Sequence, residues 1–204
     1  MTKPSPHLPP TLITRLIKIM VIGLILSLAY VMLQSCSKHK TGLESYARDS
    51  LSKLRVLDPT PPRPTASFMT PDGEPVTLAE LQSGQTQGKT IAVNLWATWC
   101  PPCIAEMPSL NALQERYGDD KFEVITINFD RDPKDGEDFL REKGLTALPF
   151  YHNSNFALAR EYGVAGLPLT VIYSPSGKER VRVVGEADWD SPEARSLIEA
   201  LKGG

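Results

Sequence analysis

Cysteine and histidine are both scarce in this chain, with three of each in 204 residues. Three cysteines are too few for a disulfide-stapled mini-protein and too few for a structural zinc site built from cysteine alone. The histidines, His7, His39 and His152, are scattered, so no histidine pair accompanies a cysteine pair. Neither a metal nor a cofactor is expected. An overall excess of one charge is missing too, with 22 Lys+Arg against 24 Asp+Glu. That balance hides a split. Residues 1–64 carry nine basic and three acidic side chains, whereas residues 65–204 carry 13 and 21. A basic head on an acidic body argues against nucleic-acid binding, which would need the folded part to be the positive one. Aromatic residues are only 7%, yet hydrophobic residues reach 41%, enough for one domain of ordinary size plus an appendage.

The N-terminal end holds a long uncharged run. Ile19 to Leu33 is fifteen residues without charge, and counting back to Leu12 gives 22, interrupted by Thr14, Arg15 and Lys18. A helix of that length spans about 33 Å, against a hydrocarbon core of about 30 Å. Arg15 and Lys18 can snorkel to the near headgroups, and Tyr30 suits the far interface. The expectation is a short cytoplasmic tail (1–11) followed by a transmembrane signal-anchor (12–35), with the rest of the chain outside the cytoplasm. Leu33-Gln34-Ser35-Cys36 resembles the processing box of bacterial lipoproteins, although Gln34 departs from it. Cys36 is therefore a candidate lipidation site, with an ordinary thiol at the membrane face as the alternative. Residues 36–64 read as a linker. Leu43, Tyr46, Ala47, Leu51, Leu54 and Leu57 recur at helical spacing and predict a short helix. Asp58-Pro-Thr-Pro-Pro-Arg-Pro64 then predicts an extended arm.

Residues 65–204 alternate strand and helix signals. Strands are predicted at Thr90–Trp96, Phe122–Phe129, Pro149–His152, Thr170–Tyr173 and Glu179–Val184. Helices are predicted at residues 101–117, 134–143, 156–162 and 191–202, the last with Ser191 as N-cap and Pro192 at its first position. The first two strands and the helix between them form a β–α–β unit, which implies a parallel pair and an α/β class.

Trp99-Cys100-Pro101-Pro102-Cys103 stands where the first of those strands turns into its helix. Two cysteines three apart at such a junction can join their sulfurs without distorting the helix. Cys100 would lie at the helix N-terminus, where free N–H groups and the dipole stabilise a thiolate. Cys100 is thus expected to be the exposed nucleophile and Cys103 the buried resolving thiol. A disulfide that never turns over is the alternative. Pro108 falls inside the helix and is expected to kink it.

Asn94-Leu-Trp-Ala-Thr-Trp-Cys-Pro-Pro-Cys103 and the later Gly163-Val-Ala-Gly-Leu-Pro168 resemble the thioredoxin superfamily. Ala159–Thr170, Gly185-Glu-Ala-Asp-Trp189 and an extra helix–strand segment near 130–152 narrow the likeness to TlpA-like thiol–disulfide oxidoreductases of the ResA and CcmG types. The resemblance covers about residues 65–204. It implies a thioredoxin-like α/β fold, a mixed sheet flanked by helices, with a central helix–strand insert. It also implies a redox-active Cys100–Cys103 disulfide, a cis-proline at Pro168, and substrate binding by Trp99, Pro101, Leu167 and Pro168. Glu106, three residues after Cys103, matches a glutamate that ResA-like members use to handle protons. A first-turn carboxylate that merely complements the dipole is the alternative. Asn94 departs from ordinary thioredoxin, where an aspartate stands.

The resemblance implies a single-pass protein of the bacterial inner membrane with its catalytic domain in the periplasm. There it would reduce protein disulfides, of apocytochrome c or of respiratory copper-site proteins, and draw electrons from a membrane donor. A disulfide-donating oxidase or isomerase and a copper chaperone are the alternatives. A peroxidase would need a Thr-x-x-Cys setting, which Ala97-Thr-Trp-Cys100 does not supply.

Overall fold

The computed structural model describes residues 15, 18–28, 42–163 and 165–203. Residues 18–28 are helical. Among the described residues, no helix is long and apolar enough to cross a membrane. Cys36 and most of the flanks of the expected anchor lie outside the described residues.

From Gly42 onward the chain builds one eight-stranded sheet. Its strands are β1 (Leu54–Arg55), β2 (Phe68–Met69), β3 (Pro75–Val76), β4 (Thr90–Trp96), β5 (Phe122–Asn128), β6 (Phe150–His152), β7 (Leu169–Tyr173) and β8 (Glu179–Val184). Their order across the sheet is β1-β8-β7-β4-β5-β6-β2-β3. β4 pairs parallel with β5 and β5 with β6, and every other pairing is antiparallel. This is the mixed sheet that the thioredoxin-like reading implies. β4 sits in the middle because all seven of its residues are buried, as a near-continuous apolar run requires.

The helices are α1 (Leu78–Ser83), α2 (Pro101–Tyr117), α3 (Pro133–Glu142), α4 (Ala157–Glu161) and α5 (Pro192–Lys202). Local chemistry starts each of the longer ones. α2 and α3 open on prolines, and the Asp132 side chain caps α3 by accepting from the Lys134 N–H at 3.0 Å. Ser191 caps α5 through the Ala194 N–H, with Pro192 next, as the sequence predicts. α2 runs through Pro108 as one helix of 17 residues. The β7–β8 turn closes at Gly177, whose φ of +79° suits a residue without Cβ.

The stretch after Gly42 departs from the helix its leucine spacing predicts. Leu43–Tyr46 and Asp49–Leu51 are two short 3₁₀ turns, and Leu54–Arg55 pairs with the outer edge of β8. Leu51 and Leu54 are buried, and Ser50 Oγ donates to Ser191 Oγ at 2.7 Å. The apolar side chains that suggested a helix stripe are spent on packing against the sheet and α5. Further along, β2, β3 and α1 are elements that the sequence pattern did not announce.

Candidate active site

The site lies at the carboxyl ends of β4 and β5, the crevice where open α/β sheets place their chemistry. β4 ends at Trp96, and a turn closed by the Cys100 N–H on the Ala97 carbonyl (3.2 Å) leads into α2. Cys100 is the N-cap, with extended backbone (φ −105°, ψ 98°), and its own carbonyl accepts the first helical bond, from Ile104. Pro101 and Pro102 fill the first turn, where a missing N–H costs nothing. Cys100 and Cys103 form a disulfide with a 2.08 Å S–S bond and Cα atoms 5.3 Å apart.

Cys103 is fully buried, and Cys100 retains only 5% exposure. Cys103 is the deeper of the two, as expected of its position, but the expected open exposure of Cys100 is corrected. In the oxidised pair its sulfur is turned inward onto Cys103 at the head of the helix. The exposed group beside it is the Trp99 ring, 58% accessible.

Glu106 lies one turn below Cys103 and is buried. Its Oε1 accepts from Asn94 Nδ2 at 2.7 Å, and its Oε2 accepts from the Ala187 N–H at 3.1 Å. Asn94, on β4, also donates to Thr170 Oγ1 on β7 at 2.9 Å. Burial pushes the Glu106 carboxyl up from the ordinary 4.5 to about 7; the hydrogen bonds from Asn94 and Ala187, and the nearby Trp189 indole, offset only part of that cost. The indole N–H of Trp189 makes no well-formed hydrogen bond, so its pull on the carboxylate is the weakest of the three. The Gly185–Trp189 stretch is thereby tied to α2, a tie reinforced by the Trp189 N–H on Ser109 Oγ at 3.0 Å.

The Leu167–Pro168 bond is cis. The Pro168 carbonyl accepts from the Gly185 N–H at 2.8 Å, so that acceptor is already used inside the protein. Leu167 and Trp99 line one apolar pocket of about 220 Å³, together with Phe156, Ala159, Ala165 and Gly166. Phe156 is held between Trp99 and Phe129, with ring centroids 6.3 and 5.1 Å apart. The chain before this loop is anchored by Arg182, which donates to the Tyr162 carbonyl at 2.9 Å while paired with Glu179.

Cys100, Cys103 and Glu106 thus share the first turns of α2, and Trp99 and Leu167 share one pocket beside them. Sequence reasoning missed the Phe156 wall and the buried Asp130, which binds the turn before Cys100. No motif marks either residue, and both act across the fold. In chemical terms the arrangement is a dithiol–disulfide pair at a helix N-terminus, with a carboxyl that titrates near neutrality one turn away.

Comparison with known proteins agrees with this geometry. The chain is 31% identical over 120 residues to the thiol-disulfide oxidoreductase ResA of Oceanobacillus iheyensis, covering 59% of this chain and 62% of that protein. It is 31% identical over 111 residues to the thiol:disulfide interchange protein HelX of Rhodobacter capsulatus, covering 54% and 58%. The match therefore spans under two thirds of either relative's length. A crystal structure of a candidate thiol:disulfide interchange protein DsbE from Chlorobium tepidum superposes with a TM-score of 0.60 at 26% identity, over 71% of this chain and 97% of that one. The Redoxin family model matches residues 61–198, and the chain belongs to that family.

Proposed function

We propose that the protein is a thiol–disulfide oxidoreductase that works as a dithiol reductase of protein disulfides on the extracytoplasmic face of a bacterial inner membrane. The observation that carries this reading is the Cys100–Cys103 disulfide at the start of α2, with Cys103 the deeper of the two. In the reduced protein the Cys100 thiolate, favoured by the helix N-terminus, attacks a partner disulfide. One partner sulfur leaves as a thiolate and a mixed disulfide forms on Cys100. Cys103 then attacks the Cys100 sulfur, releases the second partner thiol and closes the intramolecular disulfide. The partner gains two electrons and two protons. Glu106, with its carboxyl raised to about 7, is the group one turn away that can give or take a proton near neutral pH.

Residues 12–35 would anchor the domain in the bilayer, with the periplasm on the far side. In that oxidising compartment the pair needs a membrane electron donor to re-reduce it. Resemblance to ResA and CcmG types favours apocytochrome c or respiratory copper-site proteins as partners.

A full-length Cys103→Ser chain tests the reading. Incubated with an oxidised peptide bearing a Cys-x-x-Cys-His haem-attachment disulfide, it is expected to accumulate a mixed disulfide on Cys100 that dithiothreitol releases. Absence of that adduct, with a copper-site disulfide peptide as well, would contradict it.

A further inference from the structure

At the point where β4 and β5 part, a buried carboxylate takes over from the sheet. The Phe129 N–H still bonds the Trp96 carbonyl at 2.8 Å, but the next pair is bridged by a side chain. Asp130, only 1% exposed, accepts from the Thr98 N–H (3.1 Å to Oδ1, 3.2 Å to Oδ2) and from Thr98 Oγ1 at 2.9 Å. Its Oδ2 also accepts from Asn128 Nδ2 at 2.7 Å, while its own N–H donates to Asn128 Oδ1 at 3.0 Å. His152 Nε2 is 2.8 Å from the Asp130 carbonyl. Asn128 is itself immobilised under α3. A Cβ on Gly136 would come within 2.6 Å of Asn128 Nδ2, so only glycine permits this approach.

Thr98 is the second residue of the turn that Cys100 closes on Ala97. The chain from Trp96 to Cys100 is therefore fixed at three places: the Phe129–Trp96 bond, the Asp130–Thr98 bonds and the Cys100–Ala97 bond. The middle one is a charged acceptor holding two donors, the strongest kind of neutral-partner tie. Three donors converge on the buried carboxylate, two from Thr98 and one from Asn128, and offset the cost of burying it.

We propose that Asp130 is a positioning residue of the redox reaction: acting through Thr98, it sets where Cys100 stands at the head of α2 and so how fast Cys100 attacks a disulfide. The proposal rests on Cys100 being the attacking thiol. Asn128 is its necessary second member, since it orients the carboxylate and shares the load of burying it.

The network can be rewired without removing it. In Asp130→Asn the amide oxygen can still accept from Thr98, but the amide N–H then faces Asn128 Nδ2, donor against donor. Adding Asn128→Asp supplies an acceptor there and keeps one for the residue 130 N–H. Both bonds between residues 128 and 130 and the two Thr98 bonds to Oδ1 are thus restored, the charge moves one partner away, and only the longer 3.2 Å Thr98 contact to the second oxygen is lost. Full-length wild type, Asp130→Ala, Asp130→Asn and the Asn128→Asp/Asp130→Asn pair would be compared after reduction. The readouts are the rate of Cys100 alkylation by iodoacetamide, kcat and KM for insulin-disulfide reduction with dithiothreitol re-reducing the Cys100–Cys103 pair, and the thermal midpoint. Alkylation and kcat are expected to fall at least about tenfold in Asp130→Ala, with KM changed far less, as misplacement of a reacting atom requires. Asp130→Asn is expected to fall in between, and the exchanged pair to return to within about threefold of wild type. Two results overturn the proposal: a lowered midpoint with alkylation and kcat unchanged, or an exchanged pair that folds yet stays as slow as Asp130→Asn. If Asp130→Ala fails to fold, the Asp130→Asn and exchanged chains decide alone. If wild type alkylates at Cys100 in this Asp130-dependent way but reduces no disulfide, the positioning role stands and the reductase reading fails.

Discussion

Asn94 on β4 hands its amide N–H to the Glu106 carboxylate across the interior, at 2.7 Å, and nothing else from β4 touches that carboxylate by hydrogen bond. The bond and burial pull in opposite directions, and burial wins, leaving Glu106 near 7. The folded value lies above the ordinary 4.5, so the folded state prefers the protonated form. Stability from this source is fully present below pH 4.5 and is lost as the pH rises through about 7. Against Glu106→Gln, the oxidised wild-type chain is expected to lose about 3 kcal/mol of unfolding free energy between pH 4.5 and 8. Denaturant curves at both pH values check this, and parallel behaviour of the two proteins would contradict it.

Changing Asn94 to Asp turns a donor into a second buried acceptor at the same place. Two carboxylates at hydrogen-bond distance cannot both ionise, so the pair is expected to hold one proton to a pH above that of Glu106 in the wild type. Carbon-13 NMR of the carboxyl groups would follow it. An upper titration step below pH 7 would mean that water or rearrangement separates the two groups.

Much of this architecture is legible in the sequence, for physical reasons. Thr90–Trp96 and Phe122–Asn128 are buried along almost their whole length and so read as continuous apolar runs. α2 and α5 carry proline and capping signals at their starts. The two-residue strands β1, β2 and β3 are too short for a period-two pattern to exist. Leu43 to Leu54 satisfies helical spacing, yet burial against the sheet edge decides its conformation. At the site, Cys100, Cys103 and Glu106 are visible because they sit within two turns of one helix. Asp130 is not, since its partner Thr98 is 32 residues away and a lone aspartate after a strand has no local signature.

The first turns after Gly42 belong to the folded unit in energetic terms. Leu51 is completely buried, so Leu51→Ala is expected to cost about 2–5 kcal/mol. Likewise a fragment starting at Thr65 should melt well below one starting at Gly42, since it leaves the β8 edge bare. Equal melting points would show that this stretch lies on the surface without supporting it.

Trp99 is the most accessible aromatic ring at the site. Trp99→Ala is expected to raise KM for disulfide peptides several-fold while changing stability by no more than about 0.5 kcal/mol, as at other exposed positions. An unchanged KM would remove the pocket it shares with Leu167 and Phe156 from substrate binding.

The direction of electron flow is tested most directly by the reduction potential of the Cys100–Cys103 couple in the full-length chain, equilibrated against glutathione and dithiothreitol buffers. A dithiol reductase should lie near thioredoxin, at about −270 mV. A value near about −120 mV, that of a strong disulfide donor, would contradict the reductase reading and make the protein an oxidant of its partners.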